Sequence, residues 1–370
     1  MTALREQTVM DAARHFLTQG SPRSVRRYGS GHINDTYLVE CARPYILQRL
    51  NTEIFHEPLA LMKNIESVTL FLREKITAQG GDPDRETLTL IPTQDGSFHY
   101  IDGENNFFRM FLFITDAVTY DAARNPEDFY HSAVAFGNFQ RLLHDFPSET
   151  LTEVIPHFHD TPSRFRDFER AVQEDVMGRA ASCAEEIRFL ADRRADCGVS
   201  VRLQQAGELP LRVTHNDTKL NNIMLDQRTG EAICVIDLDT VMPGLSVNDF
   251  GDSIRFGANT AREDEPDASL AGLSLPLYES YVRGFLTGCG GILTPAEVRQ
   301  LSWGAKLMTY ECGMRFLGDY LNGDVYFHTA YPEHNLVRAR TQIALVRDME
   351  RKWTQMNDIV ARYAGQPSTR

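Results

Sequence analysis

The sequence predicts an α+β protein of two lobes, with an antiparallel sheet in the amino-terminal lobe and mainly helices in the carboxy-terminal lobe. Short apolar runs separated by turn residues fill much of residues 1–114 and predict paired strands. Apolar residues then recur at helical spacing over most of residues 115–370. A stretch from Val213 to Asp239 interrupts the helical pattern with a polar loop and a short hairpin. We therefore predict a lobe boundary after residue 114.

Length and composition are ordinary for a globular chain and exclude several classes of function. The 370 residues suffice for two sizeable cores, and 42% of them are hydrophobic. A net charge of −13 argues against a nucleic-acid binder, and no apolar run approaches the roughly 20 residues of a membrane span. The amino terminus shows no signal pattern, and the six cysteines include no C-x-x-C pair. We expect a cytoplasmic monomer with reduced thiols and no membrane partner.

The first lobe opens with a helix and a strand–glycine loop–strand–turn–strand unit. Apolar spacing predicts a helix over 8–17 and strands over 25–28, 36–40 and 45–50. Gly29 and Gly31 would let backbone N–H groups approach a nucleotide phosphate, although a Gly-x-Gly pair alone is more often an ordinary hairpin. His32 at the loop tip either contacts phosphate or acceptor, or is a solvated loop side chain.

The remainder of the first lobe is predicted as one helix and three more strands. The helix covers 58–73, and the strands cover 87–92, 97–101 and 106–113. The sheet ends near Phe113 and Ile114, where we expect a hinge whose backbone binds adenine.

The second lobe is predicted to be helical outside the central stretch. Helices are expected at 126–144, 164–196, 275–285, 294–321 and 335–363. Thr294 to Glu297 predicts a capping box at one helix start. The HFHD cluster at 157–160 is interpreted as a polar loop, since no further metal ligands follow at a fitting spacing.

The central stretch carries the residue types of phosphoryl transfer. Its H-x-D-x-x-x-x-N pattern supplies Asp217 to accept the proton of an attacking hydroxyl and Asn222 for a metal ion. Asp237, at the end of the following hairpin, is placed to hold Mg²⁺ against nucleotide phosphates. Lys219 would neutralise charge on the transferring phosphate. We predict Asp217 and Lys219 as catalytic residues, with Asn222 and Asp237 as the metal ligands.

Two features depart from the protein-kinase pattern. Asp249-Phe250-Gly251 spells the kinase Asp-Phe-Gly motif, but it comes 32 residues after Asp217 without a hairpin leading into it. We expect Asp249 and Asp252 to anchor the loop or cap the next segment.

The second departure is in the third strand, where kinases place a lysine that pairs with phosphate oxygens. Alternation along the strand puts Gln48 at that position. Either a neutral amide suffices there, or Arg49 or Lys63 supplies the charge.

The pair of segments HNDTKLNN and VIDLD resembles the aminoglycoside and choline kinase family of phosphotransferases, which share a protein-kinase-like fold. Other segments are similar to a bacterial subgroup of that family that phosphorylates N-acetylhexosamines, so the resemblance covers most of the chain. Those segments are YGSGHINDTYLV, YILQRLN, IPHFHDTPSRF, RVTHNDTKLNNIM, DFGDSIRFGA, ECGMRFLGDYL and YPEHNLVRAR. The resemblance implies that glutamine at position 48 is a feature of this subgroup.

The resemblance implies ATP- and Mg²⁺-dependent phosphorylation of the anomeric hydroxyl of N-acetylglucosamine or N-acetylgalactosamine. By residue match, Asp217 is the general base, and the sugar or its phosphate would meet His32, Phe256, Arg315 and Tyr326. Glu311 and Arg315, four residues apart, are alternatively a helix-surface ion pair. Two other functions stay open: a kinase of an amino alcohol, an aminoglycoside or a plain hexose, and a nucleotide-binding pseudokinase. A protein kinase is disfavoured, because no Ala-Pro-Glu segment follows Asp237.

Overall fold

Strands concentrate in the amino-terminal part of the chain and helices follow, which confirms the predicted α+β class. The computed structural model describes residues 4–29 and 33–365. Contacts group the chain into two units. The first comprises Met1–Val118, Asp145–Ile155 and Met224–Met242, and the second comprises Thr119–His144, Pro156–Ile223 and Pro243–Arg370. Residues 1–114 lie wholly in the first unit, and the boundary placed after them stays a prediction.

The strands in the described ranges are β1 (Ser24–Arg27), β2 (Asp35–Glu40), β3 (Pro44–Leu50), β4 (Tyr100–Ile101), β5 (Phe107–Leu112), β6 (Ala117–Val118), β7 (Arg212–Thr214), β8 (Ile223–Asp226), β9 (Ala232–Val235) and β10 (Met242–Gly244). The helices in the same ranges are α1 (Glu6–Ala13), α2 (Pro58–Ala78), α3 (Pro83–Glu86), α4 (Pro126–Leu142), α5 (Thr161–Glu174), α6 (Ala184–Ala191), α7 (Val199–Gln205), α8 (Ser246–Gly257), α9 (Leu275–Cys289), α10 (Pro295–Arg299), α11 (Leu301–Leu321), α12 (His334–Arg351) and α13 (Trp353–Ala364).

The first unit contains a five-stranded antiparallel sheet in the order β1-β2-β3-β5-β4. Its strands alternate as the sequence predicts, so that Val39, Leu47 and Met110 are buried in one core with residues of α1. The register of β3 and β5 sets Gln48 directly opposite Arg109. The hairpin predicted after the polar loop is confirmed as β8 and β9, which form a second sheet with β6.

Two of the predicted strands of the first unit need correction. Residues 87–92 form no strand and make only an isolated bridge from Leu90 to Phe111. The strand predicted over 97–101 is reduced to β4. The reason is local, since Pro92 lacks an N–H to donate and Thr93 N donates to Ser97 O at 2.7 Å, which closes a turn instead.

Helices of the second unit pack so closely that glycine is needed where they touch. A Cβ added to Gly137 of α4 would lie 2.4 Å from the carbonyl oxygen of Phe285 in α9. A Cβ on Gly251 of α8 would lie 2.2 Å from Gly304 O in α11, and one on Gly304 would lie 2.2 Å from Val247 O. Helices α8 and α11 therefore meet backbone to backbone.

The helix predicted over 164–196 is interrupted after α5 at Asp175, which has φ 36°. Two further predicted helices are each divided in two. The capping box at Thr294 is confirmed, but Gln300 adopts φ −94° and ψ 3° and separates α10 from α11. Lys352 adopts φ −96° and ψ 11° between α12 and α13, and its Nζ donates to Leu273 O at 2.7 Å. A continuous apolar pattern therefore conceals both breaks.

All six cysteines are free thiols, as predicted. Burial raises the pKa of Cys234 and Cys289, which keeps these thiols protonated as packing groups. Across residues 4–29 and 33–365, no helix is both long enough and apolar enough to span a bilayer.

Glu297 of α10 joins three segments of the second unit around a buried carboxylate. It accepts from Arg212 Nε of β7 at 2.5 Å and from Ser246 Oγ of α8 at 2.6 Å, and it closes the capping box on Thr294 N at 2.7 Å. Burial alone would raise the pKa of Glu297, but Arg212 and Ser246 hold it below the ordinary value. Glu297 therefore links β7, the strand that leads into the polar loop, to α8 and α10.

We expect Glu297→Gln to lower the free energy of unfolding by about 3 kcal/mol at neutral pH, because it leaves Arg212 without its buried anion. The depressed native pKa adds stability above the unfolded glutamate value of about 4.3, and this is lost as the pH falls through the native pKa. Urea unfolding as a function of pH should give the variant a shallower acid dependence. An unchanged acid profile would contradict this role for Glu297.

Candidate functional site

The polar loop after β7 brings three of the predicted site residues together. Lys219 Nζ lies 3.0 Å from Asp217 Oδ2, and Asn222 Nδ2 donates to the same oxygen at 3.2 Å and to Asp217 O at 2.8 Å. The Asp217 carboxylate and the Lys219 amine remain partly accessible to solvent, since the two side chains are 27% and 32% exposed. A short 3-10 turn, Leu220–Asn222, follows Lys219 and ends at Asn222. The arrangement presents one carboxylate whose second oxygen is not used by these two partners.

Asp249 anchors the backbone of this loop, which confirms the role expected from the sequence. Its carboxylate accepts the N–H groups of His215 at 2.9 Å and Asn216 at 2.8 Å, and Gln140 Nε2 of α4 at 2.9 Å. Asp249 is only 1% exposed, and burial raises its pKa despite these three donors. Asn216 has a positive φ of 64°, a conformation that these bonds help to hold.

Asp252 fixes the next part of the loop in the same way. Its Oδ2 accepts Thr218 N at 3.0 Å, and its Oδ1 accepts Arg255 Nη2 at 2.9 Å. Burial alone would raise the pKa of Asp252, but the Arg255 guanidinium holds it below the ordinary value. Ser253 Oγ donates to Thr218 O at 2.8 Å, so both backbone groups of Thr218 are bound by α8.

The rest of the Asp-Phe-Gly triplet is also structural. The Phe250 ring is fully buried and packs edge-on against Tyr281 and Phe285, with centroids 5.5 and 5.4 Å away. Gly251 provides the close approach of α8 to α11. The motif-like sequence therefore reflects loop anchoring and helix packing.

His215 has a packing role beside the loop. It is fully buried, its ring lies edge-on to Phe136 at 5.5 Å, and its Nδ1 accepts Asp217 N at 3.3 Å. Its contribution is to position the backbone of Asp217.

A cluster around Arg315 contains two of the residues predicted to face the acceptor. The Arg315 guanidinium lies 5.2, 5.6 and 5.4 Å from the ring centres of Phe158, Tyr326 and Phe327. Asp319, one turn later on α11, accepts the backbone N–H groups of Val325 at 3.0 Å and Tyr326 at 2.8 Å. Asp319 therefore fixes the backbone of the loop that carries Tyr326, while the Tyr326 side chain is 61% exposed.

The alternative of a surface ion pair between Glu311 and Arg315 is wrong. Glu311 is 1% exposed and accepts from Thr161 Oγ1 at 2.5 Å, with His159 Nδ1 at 2.8 Å from its other oxygen. This pairing also explains the HFHD segment, since His159 closes onto a helix. Phe256, the other predicted acceptor residue, lies half-buried near the end of α8.

The predicted nucleotide residues belong to the first unit. Gly29 has φ +76°, and Gly31 and His32 lie outside the described residues. Phe113 is half-buried, with its ring edge-on to Tyr28 at 5.5 Å, and its N–H donates to Pro44 O at 3.2 Å. Ile114 is 5% exposed.

Gln48 has a partner that the sequence reasoning missed. Its Oε1 accepts Arg109 Nε at 3.0 Å and Nη2 at 2.8 Å. Of the two cations predicted as alternative sources of charge, Arg49 donates through Nε to Asp35 at 2.9 Å, and Lys63 is exposed. The available signal was a single arginine within the apolar strand FFRMFL.

The oxygen donors of Asn222 and Asp237 suit Mg²⁺, the implied cofactor. Because Asn222 Nδ2 is bound to Asp217, its amide oxygen is the end left for a metal. Asp237 is exposed and has left-handed backbone angles, φ 60° and ψ 59°, a conformation that aspartate adopts more readily than most residues. The described part of the chain contains no cluster of three or more His, Cys, Asp or Glu that could hold a metal.

Comparison with known proteins finds a match to one family model and similarity to several solved kinase structures. A model described as a phosphotransferase enzyme family matches residues 24–282. The structure is similar to a spectinomycin phosphotransferase solved with ADP and spectinomycin, with a TM-score of 0.59, 11% identity, and 94% of this chain and 99% of that chain covered. It is also similar to a microcompartment-associated aminopropanol kinase, with a TM-score of 0.56, 17% identity and coverages of 95% and 98%.

A third similar structure is an amicoumacin kinase solved with AMP-PNP and Ca²⁺, with a TM-score of 0.57, 13% identity and coverages of 92% and 93%. At these identities the likeness concerns the fold. Because these neighbours are kinases, the predicted kinase-like fold class is confirmed.

We expect Asp249→Asn to destabilise the loop, because an amide cannot accept all three N–H donors. The free energy of unfolding should fall by about 2 kcal/mol, the usual penalty for unsatisfied buried groups. Amide hydrogen exchange at His215 and Asn216 should accelerate relative to the wild type. Asp358→Asn, at an exposed position of α13, is the matched control and should change neither measurement. Unaltered exchange at the two loop amides would refute the anchoring role.

Proposed function

Since the chain belongs to the phosphotransferase enzyme family, we propose that it transfers the terminal phosphoryl group of ATP to a small acceptor hydroxyl. The finer proposal is that the acceptor is the anomeric hydroxyl of an N-acetylhexosamine, giving the sugar 1-phosphate and ADP. The observation that best supports phosphoryl transfer is the Asp217 carboxylate, with Lys219 3.0 Å and Asn222 3.2 Å from one of its oxygens.

In the proposed mechanism Asp217 acts as the general base. It accepts the hydroxyl proton while the acceptor oxygen forms its bond to the terminal phosphorus and the bond to the bridging oxygen of ADP breaks. Lys219 lies beside the reacting oxygens and offsets the charge that develops on them. Bound Mg²⁺ would neutralise charge on the phosphate oxygens. We propose Asn222 and Asp237 as the residues that hold it.

The nucleotide part of the proposal uses Gly29, Gly31, Gln48, Phe113 and Ile114. Support comes from the similar structures, of which one was solved with ADP and another with AMP-PNP and Ca²⁺. The glycine at position 29 has the positive φ that a tight loop needs. The backbone at 113 and 114 is proposed to meet adenine.

For the acceptor we propose contacts from His32, Phe256, Arg315 and Tyr326. Burial and then the neighbouring Arg315 lower the pKa of Arg164, so two guanidinium groups share one region of the second unit. A neutral sugar that becomes an anionic phosphate suits this environment better than an acceptor that carries amines. The segment matches to N-acetylhexosamine kinases support the same choice.

A kinase of another small hydroxyl acceptor is the second candidate. The aminopropanol kinase and the spectinomycin phosphotransferase among the similar folds favour it. A panel of N-acetylhexosamines, plain hexoses, amino alcohols and aminoglycosides, followed by ADP release, separates the two. Phosphorus NMR of the product then identifies the modified oxygen. Phosphate on the anomeric oxygen of an N-acetylhexosamine is expected, and preferential turnover of an amine acceptor would overturn the finer proposal.

We expect Asp217→Asn to lower turnover by roughly 10²–10⁴-fold, the usual size of a general-base contribution. The fold should persist, because the side chain is partly exposed and the substitution keeps its shape. Asp167→Asn, at an exposed position of α5, should keep wild-type turnover. A variant at position 217 with wild-type turnover would remove Asp217 from the role of base.

Asp237→Ala should abolish Mg²⁺-dependent nucleotide binding, measured by calorimetric titration with MgATP. Because alanine adopts the left-handed conformation of residue 237 less readily, Asp237→Asn serves as the conformational match. That variant keeps an oxygen ligand but no charge, and we expect weakened binding. Titrations identical to wild type in both variants would count against Asp237 as a metal ligand.

A further inference from the structure

Arg109 is a buried cation within an otherwise apolar strand of the first unit. It is 1% exposed, and its neighbours in β5 are phenylalanine, methionine and leucine. A guanidinium in such surroundings is stable only when charged or polar groups meet it. The groups that contact the Arg109 guanidinium therefore indicate its role.

Gln48 faces Arg109 across the register of β3 and β5 and orients it. The amide oxygen of Gln48 accepts two guanidinium N–H groups, and its Nε2 donates to Thr36 Oγ1 of β2 at 3.1 Å. The amide is thus fully engaged within the sheet. In kinases this position of the third strand carries the lysine, so in this chain the positive charge stands one strand over.

The remaining nitrogen of Arg109 reaches the segment that carries the proposed metal ligand. Arg109 Nη1 lies 2.5 Å from Asp239 Oδ1, in a contact made by charge without hydrogen-bond alignment. Asp239 Oδ2 accepts Asn34 Nδ2 at 2.7 Å, and Asn34 Oδ1 accepts Asn51 N at 3.0 Å. Asp239 is 4% exposed, so its carboxylate is shielded from bulk water.

Asp239 lies two residues after Asp237, in the 3-10 turn Leu238–Thr240 that begins at the left-handed residue. A fixed Asp239 therefore limits how the backbone at Asp237 can rotate. The planar fork of arginine meets Gln48 with two nitrogens and Asp239 with the third, which a lysine cannot do. Arginine at position 109 of β5 can therefore bind Gln48 and Asp239 at the same time.

We propose that Arg109 is the positioning residue that stands in for the third-strand lysine, holding Asp237 through Asp239 so that the Mg²⁺–nucleotide complex binds. This rests on the proposed function, in which Asp237 is a ligand of the metal. Gln48 orients the guanidinium and contributes no charge of its own.

The test measures MgADP binding by calorimetry at several Mg²⁺ concentrations, with thermal unfolding recorded in parallel. Arg109→Met should raise the Mg²⁺ concentration for half-maximal ADP binding by about tenfold, the lower end of the effect of supporting groups around metal ligands. The double variant Arg109→Met/Asp239→Asn removes both charges, which avoids an unpaired buried anion. It should fold and show the same shift.

Arg49→Met is the matched control, since Arg49 is also buried in this sheet and paired with an aspartate, Asp35. It should lower the unfolding temperature without changing the Mg²⁺ dependence. Wild-type Mg²⁺ dependence in both Arg109 variants would overturn the inference. If the wild type itself does not bind MgADP, the proposed function fails instead, so the two failures are distinguishable.

Discussion

The loop that carries Asp217 takes its shape from buried carboxylates on α8 that accept its backbone N–H groups. Asp249 receives two of them and Asp252 a third, while Ser253 binds the carbonyl group of Thr218. An isolated polar loop of this length would sample many conformations, and fixing each residue has an entropic cost of about 1–2 kcal/mol. Because acceptors on one rigid helix meet several donors, that cost is offset without burying Asp217 itself. The proposed base therefore stays accessible while its backbone is fixed.

The parts of the molecule that sequence reasoning predicted are those set by local pattern. Alternation gave the strands β2 and β3, and the spacing of Asp217, Lys219 and Asn222 put them on one loop, where they lie within hydrogen-bond or ion-pair distance. The hairpin turn between β8 and β9 is likewise a short-range feature. The anchoring role of Asp249 was inferred because Asp237 had the better hairpin context. In each case a few neighbouring residues contain the necessary information.

What could not be predicted depends on partners far apart in the sequence. Gln48 and Arg109 are 61 residues apart, and Arg212 and Glu297 are 85 residues apart, so no local window shows that either pair is in contact. The breaks at Gln300 and Lys352 were hidden for the opposite reason: apolar periodicity continues across them although the backbone turns. The segment 87–92 does pair with β5, through Ile91 N to Met110 O and Leu112 N to Thr89 O at 2.9 Å each, but the pairing stops at a single bridge before Pro92.

The glycine contact between α8 and α11 has a consequence for how this scaffold can diversify. Gly251 and Gly304 hold the two backbones in contact, so any larger residue at either place would force the helices apart. One of these helices fixes the loop of Asp217, and the other carries Arg315 and Asp319. Change toward a new acceptor is therefore confined to side chains and to the segments that follow each helix, such as the turn bearing Tyr326. The spacing of α8 and α11 is therefore fixed by their glycines, while the side chains around them can vary.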